Sequence, residues 1–286
     1  MDRRNRSNRQ GFRRKCIQLV SALLYNANLS GFASGSIYKG PTKGLCVPGL
    51  NCYSCPGAVA SCPLGALQNA LSAMPNRLPL YIAGALLLMG LALGRLICGF
   101  LCPFGLIQEL LHKIPFPKKL RTFRGDRLLR KFKYAVFLVL ALLLPMFVTD
   151  FLGQGSPWFC KVLCPAGTLE GGIPLVLLNR GLQGALGFLY AWKMGILIAI
   201  LFLSVIIFRP FCKYLCPLGA VYSVFNPVAV FRYRLDQSKC VDCGACKNVC
   251  QMGLDPVKEL NRAECIHCSR CKNACPTGAI RKGIRS

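Results

Sequence analysis

The chain has 286 residues, 53% of them hydrophobic, yet it carries 36 Lys and Arg against 10 Asp and Glu, a formal net charge of +26. In a soluble protein that surplus would point to nucleic acid. Here the apolar residues fall in long blocks with basic clusters between them, which excludes a nucleic-acid partner in favour of a polytopic membrane protein with positive cytoplasmic loops and anionic lipid around it.

Residues 1–15 form a basic head holding Arg3, Arg4, Arg6, Arg9, Arg13, Arg14 and Lys15. An apolar segment, 16–38, follows; it lacks an A-x-A cleavage site and so reads as a retained first span rather than a signal peptide. Asn26 and Asn28 within it are expected to bond between helices. Residues 39–77 carry Cys46, Cys52, Cys55 and Cys62 among Pro and Gly, and a second span covers 78–97. A strongly basic loop, from Lys113 through Lys118, Lys119, Arg121, Arg124, Arg127 and Arg130 to Lys133, places the next segment in the cytoplasm. The third span, 134–151, should kink at Pro145. An outer segment with Cys160 and Cys164 comes next, then an interfacial piece at 173–190 and a fourth span over 189–208, with Lys193 snorkelling at its outer end.

The C-terminal stretch carries the chemistry. Cys240, Cys243, Cys246 and Cys250 follow the pattern C-x2-C-x2-C-x3-C, and after fourteen residues Cys265, Cys268, Cys271 and Cys275 repeat it. Three thiolates on a tight loop reach three corners of a cubane, and the fourth, displaced along a short helix, reaches the neighbouring cluster. Cys240, Cys243, Cys246 and Cys275 are therefore expected to hold one [4Fe–4S] cluster, and Cys265, Cys268, Cys271 and Cys250 a second. Structural zinc more commonly uses two C-x2-C units.

Cys-Pro-x-Gly recurs at Cys62, Cys102, Cys164, Cys216 and Cys275, and of the first four copies three, at Cys102, Cys164 and Cys216, sit within C-x3-C-P. The order of span, outer Cys-Pro, span, inner Cys-Pro is repeated, and Arg95 and Arg209 each stand three residues before an inner pair. A tandem duplication of a two-span unit follows, with its axis along the membrane normal. That symmetry would set Cys98 and Cys102 opposite Cys212 and Cys216 as ligands of an inner membrane cluster. An outer cluster would draw on Cys160 and Cys164 with two or more of Cys46, Cys52, Cys55 and Cys62. A disulfide remains open outside, and redox-active thiols or a copper or zinc site remain open inside. Arg95 and Arg209 read equally as cluster charge compensation or as ordinary positive-inside residues.

The fold class is thus an α-helical polytopic membrane protein of four spans, a tandem two-span repeat, followed by a small α+β ferredoxin module. The divisions are a head at 1–15, a membrane domain at 16–219 and a cytoplasmic module at 220–286, with both termini in the cytoplasm. The cofactors are two [4Fe–4S] clusters and one or two more. His112 and His267 are the only histidines and sit in polar loops, and neither a haem-attachment nor a flavin signature is present.

These motifs together resemble the NapH/MauN/NosR type of membrane-bound ferredoxin. The resemblance implies an inner-membrane iron–sulfur protein, an electron-transfer subunit of an oxidoreductase complex. It would work between a quinol or cytoplasmic donor and an extracytoplasmic redox partner. The stretch from Cys46 through Cys52 and Cys55 to Cys62 departs from that pattern and looks like an anaerobe branch of the family. Two other functions remain: a quinol dehydrogenase subunit using only the cytoplasmic clusters, and a metal-handling or redox-sensing protein using its C-x3-C-P thiols.

Overall fold

The structure is a computed structural model that describes residues 3–73, 79–117, 119–151, 154–184 and 186–284, with side chains from Gln10 onward. The first residue of the expected second span, Lys118 of the basic loop, and the side chains of Arg3, Arg4, Arg6 and Arg9 lie outside the described residues.

Most of the chain is helical. The first helix, Arg3–Tyr25, stops well short of residue 38. Asn26 and Asn28 turn the chain inward by donating to Asn51 Oδ1 at 2.8 Å and to the Pro56 carbonyl at 2.9 Å. They tie the helix end to the cysteine-rich loop, not to another helix. The second apolar helix, Leu80–Leu93, has 14 residues and ends at Gly94, whose φ of 53° an L side chain rarely adopts. The third begins in the basic loop at Asp126–Val136 and continues to Leu144–Phe147 through a π-helical stretch, Phe137–Leu143. This widened turn precedes Pro145, which has no N–H for the regular ladder.

Among the described residues one helix, Phe188–Ile206, is long and apolar enough to cross a membrane by itself. The other segments expected as spans are shorter or interrupted. Large apolar side chains nevertheless face outward, among them Leu80, Leu88, Phe188, Ile198 and Phe202.

Each inner motif is a helix–turn–helix. Leu96–Phe100 leads through Cys102 into Pro103–Leu111, and Pro210–Tyr214 leads through Cys216 into Pro217–Phe225. Pro at the first helical position costs nothing there, because that N–H would lack a partner in any case. Cys102 and Cys216 cap their helices: the Gly105 and Gly219 amides donate to the two sulfurs at 3.4 and 3.3 Å.

In the C-terminal module a two-stranded antiparallel sheet, β1 (Phe231–Leu235) with β2 (Ile280–Ile284), clasps the cysteine-rich segment, with Tyr233 opposite Lys282. One apolar core runs on from the helical part into this module, from Leu64 and Phe104 through Ile97 and Phe211 to Met252 and Ile266.

Candidate metal centres

None of the nineteen cysteines is paired in a disulfide. Eight of them ring two cavities in the module. Cys250, Cys265, Cys268 and Cys271 line one, and Cys240, Cys243, Cys246 and Cys275 line the other. Each set crosses between the two sequence runs. Among the described residues no three His, Cys, Asp or Glu side chains converge on a point that a single metal ion would occupy. Each cavity is lined by four thiols, three from one run and one from the other, which is the donor set a [4Fe–4S] core takes. The fit is to an iron–sulfur core.

The inner cysteines also meet. Cys98, Cys102, Cys212 and Cys216 are buried in the common core and lie within reach of one another's charge. Arg95 and Arg209, both fully buried, flank them. Each crosses to the other repeat: Arg95 Nη2 donates to the Cys212 carbonyl at 3.1 Å, and Arg209 Nη1 to the Cys98 carbonyl. Gly105 makes room for Arg209, since a Cβ there would lie 3.0 Å from its Nη1, and Gly219 packs beside Arg95, a Cβ there lying 3.4 Å from Arg95 Nη2.

Charge around this site is laid out in two clusters. Glu264 accepts from Arg95 at 2.9 Å and from Lys133 at 2.5 Å, while Glu109 pairs with Arg14 at 2.5 Å and Arg209 at 2.9 Å. Four cations share two carboxylates, so a positive excess faces the thiols. A four-thiolate [4Fe–4S] core, at roughly −2, matches that excess. Arg14, from the basic head, is thus buried rather than solvated.

The outer candidates divide. A cavity of about 340 Å³ is lined by Cys52, Cys62, Cys160 and Cys164, while Cys46 and Cys55 are absent from its lining. Lys193 turns into this cavity, donating to the Cys160 carbonyl at 3.2 Å instead of reaching outward.

Several functional side chains escaped the sequence reading. Gln108 Nε2 donates to Cys212 Sγ at 3.3 Å while its Oε1 accepts from the Phe211 amide at 3.2 Å. Gln68 does the same for Cys160, at 3.4 Å, and the Phe159 amide, at 3.0 Å. Both glutamines stand six residues after a Cys-Pro cysteine, a periodicity that was visible in the sequence. Glu170 and Tyr222 hold the same position after Cys164 and Cys216. Asn226 joins the two parts: its Oδ1 accepts from the Arg95 amide and its Nδ2 donates to the carbonyls of Arg262 and Cys265. His267 is buried, not in a polar loop; its Nε2 meets Asn261 Oδ1 at 2.9 Å. Burial, with Arg95 and Arg232 nearby, pushes its pKa down to about 4, so it is neutral at physiological pH.

Paired crossed thiol sets on a sheet-clasped module, with further Cys-Pro thiols in a helical core, define a ferredoxin-type protein of the [4Fe–4S] class. Two models, each described as a 4Fe-4S binding domain, match the chain: one over residues 76–124, 134–177 and 190–235, the other over 258–281. The chain is 32% identical over 182 residues to the protein MJ0750 of Methanocaldococcus jannaschii, covering 62% of this chain and 67% of that one. It is 28% identical to the methylamine utilization ferredoxin-type protein MauN of Methylorubrum extorquens, covering 66% and 59%. With the ferredoxin-type protein NapH of Haemophilus influenzae the identity is 29%, covering 62% and 55%. The chain belongs to the NapH/MauN family of ferredoxin-type proteins. It spans between about half and two thirds of the length of these relatives. No solved structure matches it.

Proposed function

We propose that the chain is a membrane iron–sulfur electron carrier, passing single electrons between its ferredoxin module and an inner centre held by Cys98, Cys102, Cys212 and Cys216. One observation carries this reading. The loop containing Cys265 and Cys268 sits directly on the turn containing Cys98 and Cys102, where the backbone of Ile266 abuts Gly99. The module is held there by Arg95, Lys133 and Asn226. Two clusters of the module would be bound by the crossed sets described above. A bound [4Fe–4S] core would supply one-electron storage at each site.

The chain's own residues set the conditions. Arg95 and Arg209 balance negative charge in a dry interior, and Gln108 and the Gly105 and Gly219 amides direct N–H dipoles at the sulfurs. The outward-facing apolar side chains support a bilayer location, and the basic loop supports a cytoplasmic module. A quinone or an extracytoplasmic redox subunit would be the partner at the far end.

Anaerobic purification of the full chain with iron and sulfide analysis tests this. About eight irons belong to the module, and the inner centre adds about four. Cys102→Ala should remove about four irons and leave the module's clusters spectroscopically intact. Unchanged iron in that variant would return the chain to a carrier using the module alone.

A further inference from the structure

We infer that Cys52, Cys62, Cys160 and Cys164 form a further [4Fe–4S] site, built on the same plan as the inner one. It extends the proposed carrier by one centre and rests on that reading for its role, though not for its existence. Cys52 and Cys62 lie outside the segments that the family models match.

The correspondence between the two sites is side chain by side chain. In the inner site a Cys-Pro helix starts at Cys102 and carries Gln108, whose amide bridges Cys212 Sγ and the Phe211 N–H. In the other site a Cys-Pro helix starts at Cys62 and carries Gln68, which bridges Cys160 Sγ and the Phe159 N–H. Gln68 is fully buried and reaches the cavity's sulfur with its Nε2. The second cysteine of each C-x3-C pair again accepts from its motif glycine: Gly167 donates to Cys164 Sγ at 3.4 Å, as Gly219 does to Cys216.

Cys52 takes the fourth place. Its sulfur lies 3.3 Å from where a Cβ on Gly171 would stand and 3.8 Å from one on Gly167, so small residues line its side of the cavity. Its amide is fixed by Glu170 Oε2 at 2.7 Å. Cys46 instead belongs to a backbone bridge with Ser61, and Cys55 closes the turn begun at Cys52. The donor set is therefore four thiols around a cavity, with an amide N–H aimed at one sulfur and a backbone N–H at another. An iron–sulfide core is the ligand class this suits.

The two sites are also neighbours. A Cβ on Gly49 would lie 3.2 Å from Cys102 Cα, and three residues later the chain reaches Cys52. Those residues span at most about 11 Å. Tyr222 stands within electrostatic reach of Cys62 as well as of Cys98, Cys102 and Cys216.

The test uses full-length protein purified anaerobically, with iron, acid-labile sulfide, zinc and the EPR of the reduced state measured together. Cys62→Ala and Cys164→Ala should each lose about four irons and about four sulfides. Cys46→Ala and Cys55→Ala should lose none. Gln68→Leu leaves every thiol in place and should alter only the EPR signal that Cys164→Ala abolishes. Full iron in Cys62→Ala and Cys164→Ala, an equal loss in Cys55→Ala, zinc in place of iron, or an unmoved signal in Gln68→Leu would each overturn the inference. Cys102→Ala keeps the two readings apart. If it removes no signal while Cys164→Ala does, the inner centre fails and this site stands.

Discussion

Gly99 and Ile266 touch backbone to backbone: a Cβ on Gly99 would overlap the Ile266 carbonyl oxygen. The contact joins the turn of the first inner cysteine pair to the loop between Cys265 and Cys268. Glycine is needed here for close approach rather than for an unusual φ, since Gly99 lies within the helix Leu96–Phe100. Gly99→Ala should push the module away, at a cost of about 1–3 kcal/mol for the overpacked contact. We expect normal iron content with weaker magnetic coupling between the reduced clusters, read by EPR.

Arg95 is fully buried and the Glu264 side chain is 14% exposed. Arg95→Ala removes one of the two cations that Glu264 faces, and breaking a buried pair from one side costs about 3–5 kcal/mol. The thermal unfolding midpoint of the anaerobic protein should fall clearly. Arg95→Lys should recover only part of it, because an ammonium cannot serve Glu264, the Ala263 carbonyl and the Cys212 carbonyl together.

Hydrogen bonds to cluster sulfurs favour the reduced, more negative state and so raise a reduction potential. Gln108→Leu is nearly the same size but cannot donate to Cys212 Sγ. Redox titration should show the inner centre shifted to a more negative potential, with the module's clusters unmoved. An unchanged potential would confine Gln108 to a packing role.

Asp126 links three parts of the molecule. It receives Lys213 at 2.7 Å, Tyr214 Oη at 2.5 Å and Arg130 at 2.6 Å, and Arg130 also donates to the Met252 carbonyl of the module. Burial alone would raise its pKa, but the hydrogen bonds from Lys213, Tyr214 and Arg130 hold it below the usual carboxylate value. A depressed folded-state pKa contributes stability that is complete above the unfolded value of about 3.9. That contribution is lost as pH falls through the lower folded value. Asp126→Asn should flatten the acid limb of stability below about pH 4, measured by protease release of the module.

The sequence announced the thiols more clearly than the helices. Ligand spacing is a local property, so the two runs from Cys240 to Cys275 could be read directly, and a tetrapeptide repeat drew attention to Cys62, Cys102, Cys164 and Cys216. Span lengths were less legible. A hydropathy window counts apolar residues but does not register that Asn26 folds back onto Asn51 or that Gly94 takes a left-handed φ. That Cys52 lines the cavity while Cys46 and Cys55 do not follows from how the loop packs against Gly167 and Gly171, which no spacing rule contains. Gln68 and Gln108 stand at a fixed offset from the Cys-Pro motif, three residues beyond the glycine that closes the visible repeat. The position of Lys193 near a span end suggests snorkelling, whereas the cavity beside Cys160 gives it a nearer partner.

The two membrane thiol sets interleave along the chain: Cys52 and Cys62 come first, then Cys98 and Cys102, then Cys160 and Cys164, and last Cys212 and Cys216. A break in the basic loop would leave each fragment with half of both sets and all of neither. During synthesis the first four-thiol set is complete only when Cys164 has emerged, and the second waits for Cys216, just ahead of the module that docks against it. A metal core seated in either place would clasp the early and late parts of the polypeptide as a rivet does, so that loading the centres and fastening the halves become one event.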